Sequence, residues 1–202
     1  KRHYNQTSPV EKLKPAVYYL SHQSRFILKT QKDLLDRELE YIYLEHKREK
    51  RFIEHCLFIA DIYIFMRKQQ DTNDEIKFFT TKELQRYKHF PHPLPDAFIA
   101  IKNKNTTKRY FLDYFDPYIP PFVIRKRIKQ YITNFMESDW QTHTNNTPFP
   151  YVLFVCPNNK IKNHIKLYGK TILEESFTQD IFLYVTISET FKHNNIPVWE
   201  KI

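Results

Sequence analysis

The chain has 202 residues and a formal net charge of +9, with 41% hydrophobic and 16% aromatic residues. This length and apolar content allow one compact domain, or one domain with a small appendage, and the basic charge favours an anionic partner, with nucleic acid ahead of an acidic membrane. The single glycine, Gly169, excludes the glycine-rich phosphate-binding loops of Rossmann and P-loop proteins.

The first third of the chain is predicted to be mainly helical after a polar arm. A short strand is predicted over residues 16–21, a short helix over 22–30 and a charged helix over 31–48. A long helix is predicted from about Arg48 to Arg67. Its predicted buried face follows the i, i+4, i+7, i+11 pattern and consists of Ile53, Leu57, Ala60 and Ile64.

The rest of the chain alternates strand and helix patterns. Strands are predicted in EIKFFTT, DAFIAIK, KRYFLDYF, YVLFVC and DIFLYVTI, with a hairpin around NKNTT. Helices are predicted from Phe122 to Ser138 and over NKIKNHIKLYGKTILEES. Because strands joined by crossover helices form sheets covered by helices, the order predicts an α/β fold with a mixed sheet. A domain boundary is predicted near residue 46, which divides segment 1–46 from domain 47–202.

The cysteines and the absence of long apolar runs indicate the cellular compartment in which the protein is expected. Cys56 and Cys156 belong to no metal-binding or Cys-x-x-Cys motif, so both are predicted to be buried thiols in a reducing compartment. No run of about 18 apolar residues and no signal-peptide core is found. We therefore expect a cytoplasmic protein with no membrane partner. Because the chain begins with Lys1 rather than Met, we also expect a fragment of a longer protein.

Two acids belong to the predicted hairpin. Asp96 opens its first strand and Asp113 lies inside its second strand. Such a hairpin can bring both carboxylates together, and carboxylate oxygens are the ligands that Mg²⁺ takes in phosphodiester hydrolysis. In the alternative interpretation, Asp96 caps a strand after Pro95 and Asp113 pairs with a surface lysine. The two acids alone favour this second interpretation.

The order of elements, with PDAFIAI, RYFLDYF and RKRIKQY, resembles the PD-(D/E)xK nuclease-like fold, and more closely the replication-relaxation family of plasmid and integrative-element proteins. The resemblance covers about residues 16–190, and its specificity comes from the order of short pieces. Those pieces are Glu54-His55, Pro95-Asp96-Ala97, Phe111-Leu112-Asp113, RIKQY ending at Tyr131 and YVLFV from Tyr151. The family also implies an N-terminal winged helix, of which AVYYLSHQSRFIL resembles only the wing strand and the following helix. The DNA-reading helix would lie upstream of Lys1.

The chain departs from the family pattern at the second strand of the hairpin. The Glu-x-Asp of the family is Asp113-Tyr114-Phe115 here, and a one-residue shift would point Asp116 to the opposite face. The superfamily's lysine has no counterpart at Phe115, and its expected place on the next helix holds Arg127. Arginine cannot serve as a general base, although it can clamp a phosphate. The resemblance therefore implies a catalytic set of Asp96, Asp113 and Arg127, with Mg²⁺ held by Asp96, Asp113 and Glu54.

Two rows of basic residues on predicted helices, which we call the basic stripes, and three histidines are further candidate binding residues. The stripes suit contacts to a nucleic-acid backbone, although a helix face that is only exposed to solvent has the same pattern of charges. They consist of Arg125, Lys126 and Lys129 on one helix and of Lys162, Lys166 and Lys170 on another. His89 and His92 lack further zinc ligands nearby, so no zinc site is expected there. His55 is predicted to be a hydrogen-bonded helix residue.

Together these patterns predict a DNA-binding accessory protein of a mobile genetic element, acting in plasmid replication-relaxation or mobilisation, with a nuclease-like core that is catalytically degenerate. Its predicted partners are double-stranded DNA, a relaxase or replication protein, and a second copy contacted through residues 31–48. The alternative is an active Mg²⁺-dependent DNA endonuclease with a rearranged site, and a third possibility is a plain protein-interaction domain. A metal in the Asp96–Asp113 cleft would favour the enzyme, whereas a salt bridge from Arg127 filling that cleft would favour binding alone.

Overall fold

The computed structural model describes residues 2–3, 17–21, 23–30, 39–40, 48–70, 74–104, 106–178, 180–192 and 197–202. The chain divides into two compact units, residues 1–54 and residues 55–202. The long helix runs across this division, which lies beyond the boundary that the sequence predicts near residue 46.

The first unit contains a two-stranded sheet and a short helix. Strand β1 (Arg2–His3) pairs antiparallel with β2 (Val17–Tyr18), and helix α1 spans Ser24–Leu28. The strand predicted over residues 16–21 is therefore confirmed only at Val17–Tyr18, and the helix predicted over 22–30 is confirmed over Ser24–Leu28. Most of the charged helix predicted over residues 31–48 lies outside the described residues, and the winged-helix relationship stays a prediction.

The second unit is built on a mixed sheet of six strands within the described residues, in the order β3-β4-β5-β6-β7-β8. The strands are β3 (Glu75–Thr80), β4 (Ala97–Lys102), β5 (Thr107–Tyr114), β6 (Tyr151–Cys156), β7 (Leu183–Ile187) and β8 (Glu200–Lys201). Strands β3, β4 and β5 pair antiparallel, β6 runs parallel to β5 and β7, and β8 is antiparallel to β7. The predicted mixed α/β sheet is confirmed.

Helices pack on both faces of this sheet. They are α2 (Lys50–Gln69), α3 (Thr81–Leu84), α4 (Pro121–Met136), α5 (Asp139–His143), α6 (Asn159–Glu175) and α7 (Glu189–Lys192). In the part of the chain that the structure describes, no helix has both the length and the apolar character that crossing a bilayer requires.

Alternation along the strands divides the core into two clusters. On β5, Phe111 joins the cluster under α4 and α6, whereas Leu112 joins the cluster under α2. Successive side chains of a strand point to opposite faces, which is why a continuous apolar run such as YVLFVC belongs to a strand covered on both sides. All of Val152 to Cys156 is buried, as expected for a central strand.

The predicted buried face of α2 is wrong. The side chains that pack on the sheet are Phe58, Ile59, Ile62 and Phe65, while Leu57, Ala60 and Ile64 are exposed. At 100° per residue the two sets lie on opposite sides of the helix. Apolar residues follow helical spacing on both sides of α2, so periodicity alone cannot choose between them. The face that packs on the sheet carries the phenylalanines, which bury more area than the aliphatic side chains opposite.

The prediction of two buried thiols is half correct. Cys156 ends the central strand β6 and is buried, and burial raises the pKa of its thiol to about 12. Cys56 is exposed, because its position on α2 points away from the sheet. Neither cysteine forms a disulfide.

The face of α2 that packs on the sheet can be tested by two isoleucine truncations. Ile62 is 1% exposed and Ile64 is 48% exposed. Replacing Ile62 by Ala should lower the free energy of unfolding by about 2–5 kcal/mol, because it leaves a cavity in the core. The matched change Ile64→Ala should cost less than about 1 kcal/mol. Urea denaturation would measure both, and equal losses would contradict the assignment.

Candidate functional site

The hairpin of β4 and β5 brings Asp96 and Asp113 together. The last pair of the ladder is Ala97 with Leu112. The next residues, Asp96 and Asp113, therefore face each other at the open end of the hairpin, away from its turn. The Asp96 N–H lies 3.4 Å from Asp113 Oδ1, to which it donates. Antiparallel pairing thus places two carboxylates at one end of the sheet.

The Asp113 carboxylate is buried, and its oxygens are fully occupied by donors from the protein. Arg127 Nε lies 2.7 Å from Oδ2, and Arg127 Nη2 lies 3.0 Å from Oδ1. The hydroxyl of Tyr131 donates to Oδ2 at 2.8 Å, and the Asp96 N–H supplies the fourth contact. Each oxygen therefore accepts two hydrogen bonds, and a carboxylate offers about four such positions.

Helix α4 positions Arg127 and Tyr131 on the same side, one turn apart. Its buried residues include Ile124, Ile128 and Tyr131, and Arg127 is itself buried at 6% exposure. Arg127 Nη2 also donates to the Tyr131 hydroxyl at 2.8 Å, and Nη1 donates to the carbonyl of Pro93. All three guanidinium nitrogens thus have an acceptor, as a buried arginine requires.

The surroundings of Arg127 and Tyr131 fix the protonation state of both side chains. Burial by itself would lower the pKa of Arg127, but Asp113 and the hydrogen bonds raise it above its usual value. Burial, with Asp113, raises the pKa of Tyr131 well above its usual value, although Arg127 opposes this. Arg127 is therefore a permanent cation and Tyr131 a permanent hydroxyl donor. Neither group can accept a proton near neutral pH.

Asp96 points its carboxylate to a different partner, His55. Its Oδ2 accepts from the Tyr114 N–H at 2.8 Å, and its Oδ1 lies 2.9 Å from His55 Nε2. This hydrogen bond raises the pKa of His55 against the opposing effect of burial, and the charges of Asp116 and Asp113 add to the rise. The prediction that His55 is a hydrogen-bonded helix residue is confirmed.

Two further residues at the end of β5 differ in their surroundings. Phe115 is buried and stacks on Phe154 with ring centroids 5.6 Å apart. Asp116 follows the strand in a turn, where its Oδ1 accepts from the Tyr118 N–H at 2.8 Å.

The donor set around Asp113 does not fit Mg²⁺. A hard cation needs free carboxylate lone pairs, and those of Asp113 point at Arg127, Tyr131 and the Asp96 amide. Across the described residues, no group of three or more His, Cys, Asp or Glu side chains is arranged to hold a metal ion. Glu54 is exposed, and its role as a third acid stays a prediction.

Basic residues surround the outer side of α4. Arg125, Lys126 and Lys129 are exposed. Lys126 and Lys129 line a pocket of about 430 Å³, whose other charged or ionisable lining residues are Lys88, His92, Glu137 and Asp139. No ion pair joins these cations to any residue that the structure describes. We call Lys88, Arg125, Lys126 and Lys129 the basic face. The contribution of Lys88 is not visible in the sequence, because the loop before β4 brings it to α4.

The lysines of the second basic stripe, on α6, are held in ion pairs with glutamates. Lys162 and Lys166 each lie 2.7 Å from a carboxylate oxygen of Glu200, one per oxygen. These two lysines lower the pKa of Glu200 to about 2. Lys170 lies 3.9 Å from Glu174 one turn along α6. The two stripes predicted from sequence therefore differ, because the lysines of α6 are held in ion pairs, whereas the cations of α4 form none with a residue that the structure describes.

No family model matches the sequence, and no curated protein matches it significantly. The resemblance to the replication-relaxation family stays a prediction, and functional inference rests on the geometry around Asp113 and α4.

A double-mutant cycle tests the Asp113–Arg127 pair. Asp113→Asn and Arg127→Met should each lower the free energy of unfolding by about 3–5 kcal/mol, because each leaves a buried partner uncompensated. The double variant should lose less than the sum of the two, by more than about 1 kcal/mol. Additive losses, measured by chemical denaturation, would show that the two side chains do not interact as described.

The His55–Asp96 hydrogen bond predicts a pH dependence of stability. Because the folded pKa of His55 is raised above 6.5, its stabilisation is complete below about pH 6.5 and is lost as the pH rises through the folded value. The free-energy difference between wild type and His55→Gln should therefore shrink from pH 5 to pH 9. A difference that is constant or grows over this range would be the contrary result.

Proposed function

We propose that this protein binds double-stranded DNA through the basic face, on a nuclease-like domain whose acidic centre serves as a structural ion pair. The observation that carries the proposal is the buried Arg127–Asp113 pair, which occupies the lone pairs that a catalytic metal would need. A salt bridge from Arg127 to Asp113 is also the contact that, from the sequence, we expect to favour binding over catalysis.

One helix supplies both parts of this proposal. Arg127 points from α4 into the core, whereas Arg125, Lys126 and Lys129 point outward. These cations form no ion pair with a residue that the structure describes, although Glu137 and Asp139 line the same pocket as Lys126 and Lys129. Cations that are not held in ion pairs suit phosphates, whose contacts set affinity and salt dependence but not sequence preference. The net charge of +9 adds a long-range attraction to a polyanion.

The biological setting proposed here follows the resemblance in sequence. It is an accessory role in plasmid replication-relaxation or mobilisation, in the cytoplasm, with a relaxase or replication protein as partner and a homodimer as the working form. The catalytic core is then degenerate and serves as a scaffold, since a fold of this kind can keep its architecture after its chemistry is lost.

The competing function is a Mg²⁺-dependent endonuclease with a rearranged site. It requires Arg127 and Tyr131 to release Asp113 when a metal and DNA arrive. Nicking of supercoiled plasmid by the wild type in Mg²⁺ or Mn²⁺, lost in an Asp113→Ala variant that thermal unfolding shows to be folded, would favour the enzyme over the scaffold.

The salt dependence of DNA binding tests the basic face. For a 20-base-pair duplex, the slope of log affinity against log salt should become shallower by about 0.9 per lost phosphate contact. The double variant Lys126→Gln, Lys129→Gln should therefore flatten the slope by about 2. Fluorescence anisotropy across a range of salt concentrations would measure it.

The matched control removes two lysines of α6. Because Lys162 and Lys166 already pair with Glu200, the double variant Lys162→Gln, Lys166→Gln should leave the slope nearly unchanged. No DNA binding by the wild type, or a larger effect from the α6 variant than from the α4 variant, would refute the proposal.

A further inference from the structure

A pocket of about 460 Å³ lies on the sheet face that packs against α2. Along β5, Lys108, Tyr110 and Leu112 line it, and they alternate with Phe111 and Asp113, which point to the opposite face. The pocket is therefore separated from the Asp113 site by the sheet itself. Its volume lies in the range of about 300–1,000 Å³ that is typical of small-molecule sites.

The walls of this pocket are aliphatic and aromatic. Helix α2 contributes Ile62, Phe65 and Met66, and the strands contribute Ile101, Leu112 and Leu153. Trp199 lines the pocket from the segment before β8, and Phe191 from α7. Such walls exclude water from an apolar ligand and offer ring faces and edges to a planar one.

Three tyrosines from three neighbouring strands line the same pocket. Tyr110 and Tyr151 are direct partners in the β5–β6 ladder, and the Tyr184 ring lies 6.0 Å from that of Tyr151. None of the three hydroxyls is hydrogen-bonded to a residue that the structure describes, although all three side chains are partly buried. A tyrosine in apolar surroundings normally finds a polar partner for its hydroxyl, so these three are available to a ligand.

The described lining of the pocket carries charge of one sign. Lys108 contributes a cation, and none of the lining residues that the structure describes is an aspartate or a glutamate. Lys108 is exposed and forms no ion pair within the described part of the chain. A cationic ligand would meet repulsion without a counter-charge, whereas an anion would meet an ammonium group and phenolic donors.

We infer that this pocket binds a small aromatic anion, with its ring system against the aromatic walls and its acidic group near Lys108. The apolar walls exclude a fully polar ligand such as a sugar or free phosphate, which would lose its hydration without replacement. The proposed DNA binding does not enter this inference, because the basic face on α4 lies on the other side of the sheet.

A fluorescent probe of the required chemistry tests the site. The probe 1-anilinonaphthalene-8-sulfonate is an aromatic anion, and N-phenyl-1-naphthylamine is its neutral counterpart. The wild-type protein should bind the sulfonate at a single saturable site, about tenfold more tightly than the neutral compound. Lys108→Gln should remove this preference, and Tyr184→Phe should weaken sulfonate binding about fivefold.

Two further variants separate the pocket from other apolar surface. Met66→Trp should abolish saturable binding by filling the pocket, while Leu167→Gln removes an exposed apolar side chain on α6 and should change nothing. Thermal unfolding of each variant would establish that it is folded. Sulfonate binding that is non-saturable, insensitive to both Lys108→Gln and Met66→Trp, or weakened equally by Leu167→Gln would overturn the inference.

Discussion

The buried ion pair between Arg127 and Asp113 is the interaction on which the second unit depends. Taking two charges out of water is costly, and the cost is recovered only when geometry and hydrogen bonding are nearly complete. Here the carboxylate accepts from the guanidinium, from Tyr131 and from the Asp96 amide, while the guanidinium also reaches the Pro93 carbonyl. The pair thereby fixes α4, the hairpin and the loop before β4 in one arrangement. Removing either partner would leave a charge in the core.

The two hairpin acids hold helices on opposite faces of the sheet. Asp113 contacts α4, which packs with the first core cluster, whereas Asp96 contacts His55 of α2, which packs with the second. The same antiparallel pairing that would bring two carboxylates to a metal instead gives each carboxylate a separate cationic or ionisable partner. The outward charge of α4 is then free for an external anion, and the α2 side of the sheet retains a separate apolar pocket.

The strands and α4 could be predicted because each pattern allows only one choice of buried face. YVLFVC has no polar side, so both of its faces are buried. In α4 the cations occupy one side, so the apolar side is the one that packs on the sheet. Helix α2 has apolar residues on two opposite sides, so its orientation depends on which side fits the sheet. The partners of His55, Lys162 and Lys166 come from distant segments, and sequence spacing carries no information on such pairs. The burial of Arg127 could not be predicted either, because it depends on acceptors at Pro93 and Asp113, which lie far from Arg127 in the sequence.

The central claim is that Asp113 is a structural partner of Arg127 and not a metal ligand. Titration of the ¹⁵N-labelled protein with Mn²⁺, followed by the paramagnetic broadening of backbone amide signals, tests it most directly. We predict that the amides of Asp96, Asp113 and Tyr114 broaden no more than those beside exposed acids such as Glu137. Selective broadening of these three amides at low Mn²⁺ concentration would contradict the account and identify the hairpin as a metal site.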